Sequence, residues 1–557
     1  MLSRLSLAII ITVFCAYLYA QVDSLNAVVE ADTLAIPEIV LSKSEITQWL
    51  IDHRKDTTAN VMDSSPLYAD NGDLYRNGYY YIGRPIVSPA YRYGFEQPAG
   101  VFGAGLYHSY YHNLYNSEAL NYNTAEYPFS PALTSIHAGI GDYEHHFARV
   151  SFKKNSLFSF PGVCYQGDLL VQNGQWTDII SAETSMKHYL SMHKGNYTLE
   201  TEYASFAKDI AMTELQPVFW LGSNFLIAHQ IKQLYASLKN PYAELSIINS
   251  RESATATPFA EKLTNNTTQL RISIGHDTGV HKYNAFYEHA FRDANIDFGG
   301  GFDADPYKHK LGLNWDSYIP IGIGFKADCL DWKRGRFQCD ISIPVGSSYI
   351  GAFTNTLWGE DASPDSVLNI YDLTNYYPLL DQGKRREEGA YVRYEWQGIS
   401  TQFTAGTKYI EQSAPLSGFN VHDEQLFVRL ALDALHTWRN WELKAREQWI
   451  WTKAHESMCE SPEYRFQSVQ NLYYHLPWNN ALVAGFAVNG HSGYYAANAV
   501  NPNLIEASSV LDAWAGFNID AYFELRAGIK NAMSSTLYGA YPMPWALFVE
   551  IKWEFIN

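Results

Sequence analysis

Charge, and positive charge above all, is scarce in this sequence. Asp, Glu, Lys and Arg make up only 18% of the 557 residues, with 40 Lys and Arg against 58 Asp and Glu, so the formal net charge is -18. A protein that neutralises nucleic-acid phosphates has the opposite balance, so we predict no nucleic-acid partner. Cysteine is also rare, and five residues in a chain of this length do not make a disulfide scaffold.

Long apolar runs and helical patterns are missing too. Apart from the N-terminus, no run of about 18 uncharged apolar residues occurs, which excludes a bundle of membrane helices. Aromatic residues, in contrast, are abundant, with 41 Tyr, 28 Phe and 15 Trp. Chains that are disordered throughout lack aromatic residues, so general disorder is excluded.

The N-terminus has the pattern of a secretory signal peptide. Arg4 precedes the apolar run 5–19, and Ala20 supplies a small residue for cleavage. We therefore expect residues 1–20 to be a signal peptide and the remaining chain to leave the cytoplasm.

Most of the chain has the period of two that is typical of β-strands. In the segment 547–555 the apolar residues at odd positions alternate with Phe548, Glu550, Lys552 and Glu554, and the segments 511–519, 390–397 and 426–432 repeat the pattern. These strands are about ten residues long, near the 9–11 that cross a bilayer at a tilt, and aromatic residues cluster at their ends. The fold class we predict is all-β, a transmembrane antiparallel β-barrel.

The alternation assigns faces. The residues predicted to face lipid at the C-terminal strand are Leu547, Val549, Ile551, Trp553 and Phe555. The charged residues predicted to face the lumen are Arg393, Glu395, Lys408, Arg429, Lys444, Arg446, Glu524, Arg526, Glu550 and Lys552. Two roles stay open for the charged set: a ladder of cross-strand ion pairs that stabilises the interior, or selectivity toward solutes.

Connections between the segments give the strand count and the domain boundaries. A barrel that begins in the periplasm needs a strand near 133–142, and consistent alternation of short and long connections needs a further strand within the acidic loop 350–388, at 367–372. The count is then about 22, within a range of 16–24. We predict a small plug-like or periplasmic segment at 21–131, which is rich in Tyr, Pro and Gly, and the barrel at 132–557.

The end of the chain resembles the last two strands of TonB-dependent receptors. The features are a strand that closes at Lys530-Asn531, the sequence Tyr-Pro-Met-Pro at 541–544, and an alternating final strand with a terminal aromatic residue. The segment 35–41 (AIPEIVL) is similar to the short apolar segment that such receptors offer to an energising partner.

This resemblance implies a 22-stranded barrel in the outer membrane of a Gram-negative-type envelope, uptake of large nutrients, contact with outer-membrane lipid, a periplasmic energising protein as partner, and recognition of the C-terminal strand by the barrel-assembly machinery. The plug's usual Arg-Gly and Asp-Gly landmarks are missing from 21–131, so we expect a degenerate or reduced plug or a porin-like barrel.

No residue pattern indicates catalysis. The chain lacks a Gly-x-Ser-x-Gly elbow, a phosphate-binding loop and a Cys/His metal spacing, so we predict no catalytic residue, metal site or cofactor. Adjacent His145 and His146 would point to opposite faces of a strand and so would not chelate together. Cys329 and Cys339 flank the turn 333–335, and a cross-strand bridge and two independent thiols are equally compatible with that spacing.

The function predicted from these patterns is an outer-membrane channel or receptor-like transporter for solutes, and not an enzyme. The alternative is a secreted all-β protein that binds or degrades polysaccharide through its Trp and Tyr side chains. Dependence of solubility on detergent distinguishes the two.

Overall fold

The computed structural model of the chain describes residues 67–68, 74–76, 79–81 and 131–556 with interruptions. The interruptions are 143–145, 156, 158–161, 177–178, 213–224, 258–260, 298–308, 318–320, 331–333, 359–380, 415–418, 455–462, 497–502, 521, 531 and 535–544. The predicted signal peptide and almost all of the predicted plug-like segment, including 35–41, lie outside the described residues.

Twenty-two strands form one closed antiparallel barrel. This confirms the predicted fold class and the favoured strand count. Neighbours in the barrel are neighbours in sequence, and the last strand pairs with the first, with Val549 opposite Ile140. No sheet edge is left open within the barrel, which is the condition for strands that span hydrocarbon.

The strands are numbered along the chain. Three short strands come first: β1 (Leu67–Tyr68), β2 (Leu74–Arg76) and β3 (Tyr79–Tyr81). The first half of the barrel consists of β4 (Leu133–Gly141), β5 (His146–Lys154), β6 (Val163–Trp176), β7 (Ile179–Lys194), β8 (Tyr197–Met212), β9 (Phe225–Lys239), β10 (Ala243–Thr257), β11 (Glu261–Asp277), β12 (His281–Asp297), β13 (His309–Ser317) and β14 (Gly322–Leu330).

The second half begins with β15 (Arg334–Val345), β16 (Ser348–Trp358), β17 (Asp381–Trp396), β18 (Ile399–Ala414), β19 (Phe419–Trp438), β20 (Trp441–Ala454), β21 (Tyr464–His475) and β22 (Ala481–His491). A two-stranded sheet of β23 (Tyr494–Ala496) and β24 (Asn503–Ile505) follows outside the barrel. The barrel ends with β25 (Ser508–Ile519), β26 (Phe523–Lys530) and β27 (Ala546–Ile556).

The period of two in the sequence becomes two faces of the barrel wall. On β27, Phe548 and Glu550 are buried, at 4% and 7% exposure, whereas Leu547 and Val549 between them are 53% and 42% exposed. We call the buried side the inner face and the exposed side the outer face. Large apolar side chains stay exposed on the outer face of most strands, for example Ile140, Leu245, Ile274, Leu313, Ile343, Val392, Leu426 and Leu482.

The two ends of the barrel differ. At one end the strands are joined by tight turns such as 195–196, 346–347, 397–398 and 439–440. Gln397 and Gly398 have φ values of 42° and 85°, the positive values that a two-residue hairpin turn requires. At the other end lie the long connections, including 213–224, 298–308, 359–380 and 531–545. We call these the turn end and the loop end.

One sequence prediction, the extent of a long loop, changes in the structure. The expected strand at 133–142 is present as β4, but the loop predicted at 350–388 is shorter, because β16 continues to Trp358 and β17 starts at Asp381. The strand suggested at 367–372 lies outside the described residues, and the 22 strands close without it.

Cys329 and Cys339 do not face each other. Cys329 pairs with Gly335 and Cys339 with Phe325, so the register separates the two cysteines along the β14–β15 hairpin. Both are free thiols. The connection between the strands is 331–333, two residues earlier than the turn 333–335 expected from the sequence, and this shift moves the two cysteines out of register. Of the two alternatives, the structure shows two independent thiols and no cross-strand bridge.

Candidate functional site

The inner wall of the barrel at the turn end carries most of the charged residues that the sequence singled out. The structure brings eight of the ten into two groups, four in each. It places Arg429 on β19 farther from the turn end, and it describes Lys408 only by its backbone, opposite Glu387 and Gln425.

The first group, here called the β17–β20 charge cluster, consists of Arg393, Glu395, Asp433, Glu442, Lys444 and Arg446. Arg393 donates to Glu395 over 2.6 Å, and Arg446 Nε donates to Asp433 Oδ1 over 2.6 Å across the β19–β20 pair. Lys444 Nζ lies 3.3 Å from Glu442 Oε1. The Arg393, Glu395, Arg446 and Asp433 side chains are 46–58% exposed, so each of their two ion pairs is worth at most about 1 kcal/mol.

A cleft of about 580 Å³ lies at this cluster. Its lining includes Glu395, Ser400, Asp433, Lys444, Arg446 and Asn471, together with the turn 397–398. Charges of both signs and neutral polar groups therefore border the same space. Trp396, Ile399, Leu435 and Val469 also line the cleft, so it combines charged groups of both signs with apolar side chains.

The second group, here called the β26–β27 charge cluster, consists of Glu524, Arg526, Glu550 and Lys552. Arg526 forms an ion pair with Glu524 and faces Glu550 directly across the strand pair. His137 on β4 continues the chain of contacts, with its Nε2 3.1 Å from Glu550 Oε2. The exposures of the Arg526 and Glu524 side chains are only 11% and 6%, so solvent screens this cluster much less than the first.

Arg429, on the inner face of β19, forms a third contact, farther from the turn end than the β17–β20 charge cluster. One of its Nη atoms lies 3.7 Å from Glu387 Oε1, with both side chains almost fully buried. On the intervening strand β18, Arg429 pairs with Thr404 whereas Glu387 pairs with Lys408, so the contact runs diagonally across β18. The ion pair therefore spans two strand spacings and ties β17 to β19.

An apolar patch on the same wall was not identified from the sequence. Trp514 and Phe548 are buried with Val469 and Ala487, and Trp514 Nε1 donates to Asn471 Oδ1 over 3.1 Å. Gly485 makes room for the indole, since a Cβ at that position would lie 2.5 Å from Trp514 Cε2. The sequence signal for this patch is a glycine that faces an aromatic residue on the neighbouring strand. Only the strand register shows which residues face each other, so the signal could not be used on the sequence alone.

The residues predicted to face lipid lie on the outer face. Leu547, Val549, Ile551 and Trp553 are 36–53% exposed, and Phe555 packs against Trp553 with ring centroids 4.4 Å apart. Similar aromatic residues mark the turn end of other hairpins, among them Tyr197, Tyr242, Trp396, Trp438 and Trp441. Their position at the strand ends is that of an aromatic girdle.

The described part of the chain contains no group of three or more His, Cys, Asp or Glu side chains that could hold a metal ion. No helix among the described residues is long and apolar enough to cross a membrane. His146 is hydrogen-bonded to Asn173, and its neighbour His145 lies outside the described residues.

The barrel is similar to solved outer-membrane receptors. With the ferripyoverdine receptor of the outer membrane of Pseudomonas aeruginosa it shares 11% identity and a TM-score of 0.58, over 77% of this chain and 72% of that one. With the siderophore receptor PiuA from Acinetobacter baumannii it shares 10% identity and a TM-score of 0.53, over 76% of this chain and 82% of that one. With BauA, the ferric preacinetobactin receptor from Acinetobacter baumannii, it shares 10% identity and a TM-score of 0.52, over 76% of this chain and 80% of that one.

No family model and no curated protein matches the sequence. The likeness to the solved structures is one of fold. It confirms, at that level, the resemblance to TonB-dependent receptors that the C-terminal sequence indicated. The chain has the closed barrel fold of outer-membrane siderophore receptors.

Proposed function

We propose that this chain is an outer-membrane channel or receptor-like transporter that carries solutes across the outer membrane of a Gram-negative-type envelope. The observation that carries the proposal is the contrast between the two faces of one closed barrel. The outer face exposes large apolar side chains on strand after strand, whereas the inner face buries Glu, Arg and Lys. An apolar surface of this extent marks contact with lipid.

The charged and lipid-facing residues take their roles from that contrast. Leu547, Val549, Ile551 and Trp553 contact the hydrocarbon, and the β17–β20 and β26–β27 charge clusters line a polar passage. Because the clusters contain both signs, we propose that they keep the passage hydrophilic and the wall stable rather than select anions or cations.

The length of the strands supports a position in the outer membrane. A strand needs about 9–11 residues to cross a bilayer, and β7, β8 and β17 each have 16. Several strands therefore extend beyond the bilayer at the loop end. Short turns in the periplasm and long loops outside are the arrangement of outer-membrane barrels, so we place the turn end in the periplasm.

The partners and domains follow from the resemblance rather than from the described residues. We propose residues 1–20 as a signal peptide, 21–131 as a reduced plug and 132–557 as the barrel. The segment 35–41 would contact the periplasmic energising protein, and β27 would be the strand that the barrel-assembly machinery recognises. The alternative of a secreted polysaccharide-binding protein has no support, since it leaves the exposed apolar outer face without a partner.

The experiment is fractionation of cells that express the full chain, followed by conductance measurements. We expect the protein in the outer-membrane fraction, faster migration on a gel before heating than after, and ion conductance when the purified protein is added to planar bilayers. A protein that stays soluble without detergent and does not conduct would contradict the proposal.

A further inference from the structure

Two histidines face each other on the outer face near the loop end. In the β12–β13 pair, His289 is directly opposite His309, the first residue of β13. Their Nδ1 atoms are 3.2 Å apart, and the ring centroids are separated by 4.7 Å. The Tyr287 hydroxyl lies 2.8 Å from the same His309 nitrogen. Three N or O atoms that can bind a metal thus meet at one point of the wall.

The separation of the two nitrogens is the one that a shared metal ion would impose. Zn²⁺ and similar ions bind imidazole nitrogen at about 2.0–2.1 Å. Two such bonds that enclose an angle of about 100° place their nitrogens about 3.2 Å apart. One ion could therefore bind both nitrogens at the separation that they already have.

Neighbouring aromatic residues hold the two imidazoles in place. The edge of Phe291 contacts the ring of His289, with centroids 4.2 Å apart and planes at 83°. Tyr287 stacks on His309 at an interplanar angle of 23°. Rings that are already oriented lose little conformational freedom when they bind, which increases the affinity for a ligand. His309 is exposed and begins β13 next to the connection 298–308, so an ion and its remaining water ligands can reach the pair from the loop end of the barrel.

We propose that His289 and His309 form a binding site for a divalent transition-metal ion, with the Tyr287 hydroxyl as an additional ligand or hydrogen-bond partner. Imidazole ligands suit Cu²⁺, Ni²⁺ and Zn²⁺, and the general order of affinity puts Cu²⁺ first. The site lies on the outer face and is separate from the polar passage. It therefore does not depend on the proposed transport function.

The same wall supplies a matched control. On β6 and β7 the Tyr165 hydroxyl lies 2.7 Å from His188 Nδ1, and the two rings stack at 24°. This pair reproduces the contact between Tyr287 and His309, but in the described part of the wall no second imidazole is recorded in contact with His188. A metal site that needs two imidazoles can therefore form at β12–β13 but not at His188, which makes His188 the control.

The test uses the full chain, purified without a histidine tag in detergent micelles, and titrates it with Cu²⁺. Pulsed EPR of the first bound equivalent should show two coordinated imidazoles. H289A and H309A should each remove that signal and weaken binding of the first equivalent by roughly tenfold or more, since even changes outside the ligand set commonly cost 10–100-fold. H188A should bind as the wild type does. Faster gel migration before heating shows that each variant is folded.

Zn²⁺ offers a second measurement that does not depend on copper spectroscopy. An ion that binds only the folded barrel raises its unfolding temperature, so Zn²⁺ should stabilise the wild type and H188A but not H289A or H309A. Unchanged copper binding in folded H289A and H309A would overturn the proposal. Equal loss in H188A would also overturn it, since binding would then not require a pair of imidazoles.

Discussion

Arg526 and Arg393 form ion pairs of the same chemistry at very different depths in the wall. The side chains of Arg526 and Glu524 are 11% and 6% exposed, whereas those of Arg393 and Glu395 are 48% and 46% exposed. Removing one member of a buried pair costs about 3–5 kcal/mol because the remaining charge stays in a medium of low polarity. Removing one member of an exposed pair costs at most about 1 kcal/mol.

Arg526→Met should therefore destabilise the barrel by about 3–5 kcal/mol, because Glu524 and Glu550 lose the positive charge that they share. Arg393→Met is the matched control and should cost about 1 kcal/mol or less. Urea unfolding in micelles, followed by tryptophan fluorescence, measures both. Equal effects of the two substitutions would show that burial does not decide the strength of these pairs.

A second residue-scale prediction concerns the outer face. Val549 is 42% exposed near the middle of β27, where we propose contact with hydrocarbon. Val549→Arg should cost about 2–4 kcal/mol, the value for Arg at the midplane of a bilayer. The control is Met533→Arg, because Met533 is 56% exposed in the connection between β26 and β27, where water can solvate the new charge.

Folding of both variants into lipid vesicles, measured by the gel shift before and after heating, compares the two sites. Efficient folding of Met533→Arg with impaired folding of Val549→Arg is the expected result. If Val549→Arg inserts as well as the wild type, the assignment of the outer face to lipid is wrong.

At the scale of elements, the two ends of the barrel should differ in accessibility. An epitope inserted after Asp365, between β16 and β17, should bind antibody on intact cells, because we place the loop end outside. The same epitope inserted after Arg439, in the turn between β19 and β20, should bind antibody only after lysis. The reverse pattern would invert the topology.

The elements also show what the sequence could predict. Alternation of apolar and polar residues is a local property, so it predicted the fold class, and the order of short and long connections predicted the strand count and a strand at β4. It failed where alternation is weak: Gly351 and Ala352 interrupt the pattern in β16, and this stretch therefore resembled a loop.

Contacts between strands need the register, which a single sequence does not contain. Arg429 meets Glu387 across an intervening strand, and His289 meets His309 across the connection 298–308. The predictions for individual charged side chains were therefore limited to which face they occupy. Their partners became visible only when every strand had its neighbour and its offset.

At the scale of the whole molecule, the width of the barrel raises the question of what fills it. The lumen of a barrel of about 22 strands is too wide for its own side chains to fill, and known barrels of that size are plugged. The segment 21–131 is the part of the chain available for this purpose. Its many Tyr residues combine bulk with a polar tip, which suits packing against a polar wall.

Deletion of residues 22–131 should therefore raise the single-channel conductance in planar bilayers several-fold. The described barrel strands begin at Leu133, so the deletion leaves all 22 of them intact. Gel migration before and after heating shows whether the shortened protein has folded. The control replaces the turn residues 439–440 by two glycines, since this change alters the barrel without opening the lumen. If the folded deletion protein conducts like the full chain, the segment does not obstruct the passage, and the barrel is an open porin with an N-terminal extension.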